Sequence, residues 1–292
     1  MTARVLTRRI PFVPQACWTV GSLAVLVSLG TASADDARDR QRAALLEQMR
    51  ELARSTRVEF ADDGNRGQPQ FVDKPVFRYD DQPRRFVDAT LWVWTHEGRP
   101  VAFQKIEAKE NLISSAPEWG YCCTSLANQR LNVAWSHGRT YQSQEAGIDF
   151  QPIPDAPAVA GQSAQRRRQL RELARNFSAR ILNNPRTNDT QEMRLLTTPI
   201  LEYADDATKL VRGSVFAYST NGTNPDLVIV LEARPTAEGV AWHFAPARMT
   251  TGGLTVKSQE RVLWEAPFVQ PHSQVYATWT FFQTSRITGK TE

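Results

Sequence analysis

Cysteine is scarce in this chain of 292 residues: there are three, and only the adjacent pair Cys122-Cys123 lies beyond the N-terminal region. A disulfide-stapled scaffold is therefore excluded, and two thiols without further ligands at metal-site spacing are too few for structural zinc. Seventeen Pro and fifteen Gly rule out a collagen-like or low-complexity chain. The four histidines, His96, His137, His243 and His272, are scattered and form neither H-x-x-x-H nor H-E-x-x-H. There is no G-x-S-x-G elbow, no phosphate-binding loop and no G-x-G-x-x-G. No catalytic residue, metal site or cofactor follows, and a binding role is favoured over catalysis. Charge is nearly balanced as well. The formal +4 falls to +1 once Arg4, Arg8 and Arg9 are set aside with the N-terminal segment, which leaves no electrostatic claim on nucleic acid. No later segment approaches the ~20 apolar residues that span a bilayer, so no membrane span is expected in the mature chain.

What is present begins with an export signal over residues 1–34. A basic start leads into the apolar run from Ala16 to Leu29, and Ala32-Ser33-Ala34 supplies the small residues of an A-x-A site, with cleavage before Asp35. The mature protein is expected outside the cytoplasm, periplasmic or secreted.

The chain also repeats itself. Arg50-Glu51-Leu52-Ala53-Arg54 recurs letter for letter as Arg171-Glu172-Leu173-Ala174-Arg175. The segment from Pro75 to Arg99 then aligns without gaps on Pro199 to Thr223, with Pro75, Tyr79, Asp81, Val87 and Gly98 meeting Pro199, Tyr203, Asp205, Val211 and Gly222. One residue later in register, Ile106-Glu107-Ala108-Lys109 meets Leu231-Glu232-Ala233-Arg234. The common order points to duplication, and so long a period means paired domains rather than a solenoid.

Each copy opens on an amphipathic helix. Leu45, Met49, Leu52 and Ala53 form the first stripe; Leu170, Leu173, Ala174, Phe177 and Ile181 form the second. Asp35 or Asp36 is the expected cap of the first and Ser163 of the second. Strands follow. Thr90 to His96 alternates, Glu97-Gly98-Arg99-Pro100 turns, and Val101 to Ala108 returns. The second copy repeats this hairpin with Ser214 to Thr220 and Leu227 to Ala233. Leu227-Val228-Ile229-Val230-Leu231 is apolar on both faces and should be covered twice, whereas Gln104 and Lys105 suggest that the equivalent first-copy strand partly meets water. The fold class is α+β: two tandem repeats, each a helix followed by an antiparallel meander, with a cystatin-like or NTF2-like element order by analogy. Expected domains are the signal (1–34), the first repeat (35–150), a Pro-rich linker (151–162), the second repeat (163–270) and a C-terminal extension (271–292), in which Val275 to Phe282 has the composition of an edge strand.

The stretch Trp92-Val93-Trp94 through Gly98-Arg99-Pro100-Val101-Ala102 resembles uncharacterised secreted proteins of planctomycete bacteria. Arg194-Leu195-Leu196 through Pro199 and Tyr203, and Leu231-Glu232-Ala233-Arg234, are similar to the same group. The resemblance is specific in these short segments. It implies export and carries over no activity, cofactor or catalytic residue.

Positions that keep their character in both copies are explained by shared fold; those that differ are the better functional candidates. By that comparison Cys122-Cys123 meets Ala245-Pro246, His96 meets Thr220 and Trp135 meets Ser258, while His137 is confined to the first copy. Trp92, Trp94, His96, Trp135 and His137 form the candidate surface for a small ligand or an unknown protein partner. Cys122 and Cys123 form the candidate redox site. They are two small buried residues, or a strained ring between neighbours that stand closer than the usual disulfide window, or thiols on opposite faces of a strand. Asp80-Asp81 and Asp205-Asp206 read as turn chemistry. The expected function is an exported binding or interaction module, with thiol redox activity at Cys122-Cys123 as the alternative.

Overall fold

Met49, Leu52 and Ala53 recur at helical spacing and are all buried in one apolar cluster, with Leu45 packed beside them. They lie at the end of α1 (Gly21–Arg54), the first of two helices among the described residues. The computed structural model describes residues 21–62, 67–114, 116–184, 189–205, 210–269 and 278–285. It divides into two compact units, Met1–Ala44 and Leu45–Glu292. Of the expected export signal, residues 1–20 lie outside the described residues and 21–34 are described as helical backbone alone. Neither Asp35 nor Asp36 caps the helix, because α1 begins at Gly21 and passes through both positions.

After α1 come β1 (Arg57–Phe60), β2 (Gln70–Phe71), β3 (Phe77–Asp81), β4 (Phe86–His96), β5 (Arg99–Lys109), β6 (Glu118–Ser125), β7 (Leu131–Ala134), β8 (Thr140–Gln142) and β9 (Gln151–Pro152). Then follow α2 (Ser163–Arg175), β10 (Phe177–Asn184), β11 (Asp189–Glu192), β12 (Arg194–Leu195), β13 (Leu201–Asp205) and β14 (Leu210–Ser219). The chain continues through β15 (Leu227–Thr236), β16 (Gly239–Arg248), β17 (Gly253–Ser258), β18 (Arg261–Ala266) and β19 (Trp279–Thr284). Every strand pairing among the described residues is antiparallel. The β4–β5 hairpin turns through Glu97 (φ 49°) and Gly98 (φ 75°), the pair of positive φ values that matches strand twist and that glycine adopts without strain.

Two sheets are large. One runs β19-β6-β5-β4-β2 with β3 also on β4; the other runs β9-β16-β15-β14-β12 with β13 also on β14. Two are small, β1-β7-β8 and β11-β10-β17-β18. Side-chain alternation sorts each large sheet into two covered faces. On one face of the first sheet Trp92, Trp94, Ala102, Ile106, Trp119 and Tyr121 pack with the end of α1 and the first small sheet. On the corresponding face of the second, Phe216, Tyr218, Ile229, Leu231, Trp242 and Phe244 pack with Leu170, Leu173 and Ala174 of α2 and with the second small sheet. The remaining faces meet each other: Leu91, Val93 and Phe103 share one cluster with Val215, Ala217, Val228, Val230, Ala245 and Ala247.

Three further expectations are corrected. Gln104 and Lys105 do not meet water; they are buried because the second large sheet lies over one face of β5 and the α1 layer over the other. Phe177 and Ile181 are not on a helical stripe. α2 ends at Arg175 and they sit on β10, where Phe177, Ala179 and Ile181 alternate inward. Ser163 does not cap α2: the cap position is Gln162 and makes no side-chain bond, while Gln169 and Arg166 fold back to the carbonyls of Ala158, Ala160 and Gly161.

Candidate functional site

The face of β5 turned toward the second sheet carries Phe103, Lys105 and Glu107, two residues apart as strand geometry requires. Lys105 and Glu107 are each only 2% exposed. Burying ionisable groups is costly unless each finds partners, so their surroundings decide what they do. The Lys105 ammonium has three protons and three acceptors, all from the second half of the chain: Asn224 Oδ1 at 2.8 Å, Met249 O at 3.2 Å and Pro225 O. The ammonium is thereby saturated and acts as a strut between the sheets.

The loop that supplies those acceptors is itself tied. Asp226 Oδ2 accepts from Thr220 N at 2.9 Å and from Thr220 Oγ1 at 2.6 Å, closing the β14–β15 connection. Arg84 reaches the same group from the first half: Nη1 lies 3.0 Å from Asp226 Oδ1 and 3.2 Å from Asp81 Oδ2, and Nη2 donates to Thr220 Oγ1 at 3.1 Å. Its position follows from Asp81-Gln82-Pro83-Arg84, a single 3-10 turn in which the Asp81 side chain accepts from Arg84 N. The expected turn role of Asp81 thus holds, and its second oxygen also accepts from Asn224 Nδ2 at 2.9 Å. Burial opposes the Arg84 charge, but Asp226 and Asp81 outweigh it and raise its pKa. Asp206 and His272 lie outside the described residues.

Glu107 is the group left with capacity. Tyr79 OH donates to its Oε1 at 2.8 Å. Its other oxygen lies over Gly120, directly opposite on β6, where an added Cβ would stand 3.1 Å from it. Burial raises the Glu107 pKa, while Lys105, the Tyr79 hydrogen bond and Arg84 pull it back. A cavity of 160 Å³ opens beside these groups, lined by Arg84, Lys105, Glu107, Cys122, Asn224 and Asp226, with Phe86, Met249, Trp279 and Phe281 as its apolar wall. Its chemistry is one carboxyl with a free acceptor oxygen next to an aromatic surface. That suits a small molecule with a hydrogen-bond-donating or cationic head and an apolar body.

The residues singled out from sequence do not form one open surface, although Trp135 and His137 stack at 6.4 Å. Trp92, Trp94 and Trp135 are 0%, 2% and 4% exposed, inside the α1-side core. Trp92 Nε1 donates to Thr90 Oγ1 at 2.8 Å, so even its polar edge is spent internally. The open stacking surface expected of these rings is not formed, because α1 and β1 cover it. His137 packs edge-on to Tyr121 and Phe282 at 5.3 and 5.2 Å, and burial lowers its pKa. His96 stands apart from it, edge-on to Phe60 at 5.0 Å, on the wall of a different cavity.

Cys122 and Cys123 are both free and buried on β6. Cys123 joins the α1-side core and Cys122 the opposite face, so no ring links them. Burial raises both thiol pKa values, that of Cys123 to about 12, with Glu107 adding to the effect at Cys122. Neither has the exposed thiolate that redox exchange needs. Alkylation of the native protein at mildly alkaline pH should therefore leave Cys123 unmodified and reach Cys122, a raised-pKa thiol on a cavity wall, far more slowly than after unfolding; rapid native labelling of Cys123 would contradict this placement.

Lys105, Glu107, Arg84 and Asp226 were missed by sequence reasoning. Glu107 matches Glu232 in the sequence alignment and so drew no attention, and Lys105 read as a solvent-facing strand position. The usable signal was the contrast of Lys105 with Val230 at the same register. Among the described residues no cluster suits a metal ion, and no helix is long and apolar enough to cross a membrane. No family model, curated protein or solved structure matches this chain.

Proposed function

We propose that the chain is an exported binding module of two like halves, which holds a small molecule with a donor or cationic head against Glu107. The like-halves reading is supported by the pairing pattern. In the first half β1 pairs β7, β7 pairs β8, β3 and β2 pair β4, β4 pairs β5 and β5 pairs β6. In the second, β10 pairs β17, β17 pairs β18, β13 and β12 pair β14, β14 pairs β15 and β15 pairs β16, in the same chain order. Export rests on the N-terminal sequence pattern.

The observation that carries the binding reading is the free Glu107 oxygen at a cavity whose other charged groups are already paired. Nothing there resembles a nucleophile with its base: Cys122 is a buried thiol, and Lys105 has no lone pair to offer while its three protons are held. Binding without turnover is the chemistry this arrangement supports.

The test uses n-butylammonium as probe, followed by thermal denaturation. The probe should raise Tm of the intact protein by mass action, and Glu107→Gln, which keeps the Tyr79 hydrogen bond, should abolish the rise. Only the ionised carboxylate holds a cation, and the Glu107 pKa lies above the ordinary carboxylate value. Binding should accordingly strengthen as pH climbs through that raised pKa and fade below it. An unchanged Tm, or a rise that survives in Glu107→Gln, would overturn the proposal.

A further inference from the structure

The equivalent place in the other half is a second cavity, of 180 Å³, with different chemistry. There Tyr203 OH donates to Glu232 Oε1 at 2.8 Å, as Tyr79 does to Glu107. The remaining partners differ. Where the first cavity has Lys105, the second has Val230; where the second-half loop presents Asn224 before Pro225, the first-half turn presents Arg99 before Pro100. Glu232 consequently faces two guanidiniums: Arg234 Nη1 donates to Oε2 at 3.0 Å and Arg99 Nη2 lies 3.5 Å from the same atom.

One carboxylate between two guanidiniums leaves this cluster with a net positive charge, on a wall that carries Val101, Leu126, Ile148 and Val230 beside the neutral polar groups of Asn128 and Gln129. Glu97, the other acidic residue of the lining, is exposed in the turn, and His96 faces Phe60. Arg234 is held in place by lying 4.2 Å from the Phe150 ring centroid. Arg99 Nε is buried and has no hydrogen-bond partner. A buried donor left without an acceptor is costly, and the planar guanidinium edge that carries Nε matches the spacing of carboxylate oxygens.

We infer that this second cavity binds a small monocarboxylate, its oxygens on the Arg99 guanidinium and its apolar chain along Val230, Ile148 and Phe150. The pseudo-equivalent cavities therefore select opposite heads, donor or cation at Glu107 and anion at Arg99, although both descend from the same Tyr–Glu pair. The inference goes beyond the Glu107 reading and does not depend on it.

The probe is n-butyrate, titrated into the intact protein by calorimetry. Butyrate should bind; Arg99→Gln should weaken it by about tenfold or more, whereas Glu107→Gln should leave it unchanged. Because Arg99→Gln also touches Glu232, intermolecular NOEs in the unsubstituted protein provide the second readout, expected between the butyrate methylenes and the Phe150 ring. No butyrate binding, equal binding by Arg99→Gln, or a bound probe without those NOEs would overturn the inference. Loss of butylammonium binding alone would sink the Glu107 reading and leave this one standing.

Discussion

Lys105→Met should lower the unfolding free energy by roughly 3–5 kcal/mol, since each buried acceptor left without its donor costs about 1–3 kcal/mol. Met preserves most of the stem, so the loss isolates the ammonium. Three acceptors, Asn224 Oδ1, Pro225 O and Met249 O, would be left buried with no donor from Lys105. The expectation is more than a generic core penalty because all three acceptors come from residues 224–249, on the far side of the sheet junction. What the lysine adds is the tie across the two large sheets. Denaturant unfolding should show a lower midpoint with an unchanged slope, and Lys105→Met combined with Asn224→Ala should lose less than the two single losses together. A loss under about 1 kcal/mol, the range of exposed ion pairs, would mean that the ammonium is solvated and the strut does not exist.

Trp92→Ala should be comparably damaging, by about 3–5 kcal/mol, for a different reason. The ring is fully buried against α1, and its loss leaves a cavity and removes the donor that Thr90 Oγ1 accepts from, the hydroxyl keeping its own contact to Met49 Sδ at 3.4 Å. The same substitution should not change the affinity for n-butylammonium, since Trp92 points to the face of the sheet away from Glu107. This pairing of a large stability effect with no binding effect separates a scaffold tryptophan from a stacking one. A variant that stays as stable as the parent but binds the probe weakly would restore the aromatic surface expected from sequence.

Strand alternation made much of the scaffold legible. Trp92 and Trp94 on one face, Leu91 and Val93 on the other, and the Glu97-Gly98 turn could all be read locally, because each rests on periodicity and backbone preference within a few residues. The doubly apolar run from Leu227 to Leu231 announced two coverings, and two were found. Its partner β5 was misread for a physical reason: Gln104 and Lys105 look alike to a pattern whether they face water or a complementary polar group from a distant segment. Gln104 in fact donates to Thr56 Oγ1 at 3.1 Å beneath α1, and Lys105 reaches across to the other sheet. Phe177 and Ile181 failed similarly, since a spacing of four satisfies both a helical stripe and every second position of a strand.

The candidate site was the least legible part. Its members come from β3's following turn, β5, β6 and the β14–β15 loop, so no window of sequence contains it. Comparing the two copies discarded Glu107 because Glu232 matches it. Such a comparison of residue types is blind to a carboxyl that occurs at both aligned positions with different neighbours. His96 was singled out because Thr220 stands in its place, and in the structure Thr220 is held by Asp226 while His96 borders the second cavity.

A backbone-amide NMR titration of the intact protein with n-butylammonium tests the central claim most directly. Shifts confined to Glu107, Cys122, Asn224 and Asp226, residues contributed by both halves of the chain, would place the bound cation between the two large sheets. Shifts centred on Trp94 and Trp135, or spread evenly over surface carboxylates, would contradict a binding site built across that junction.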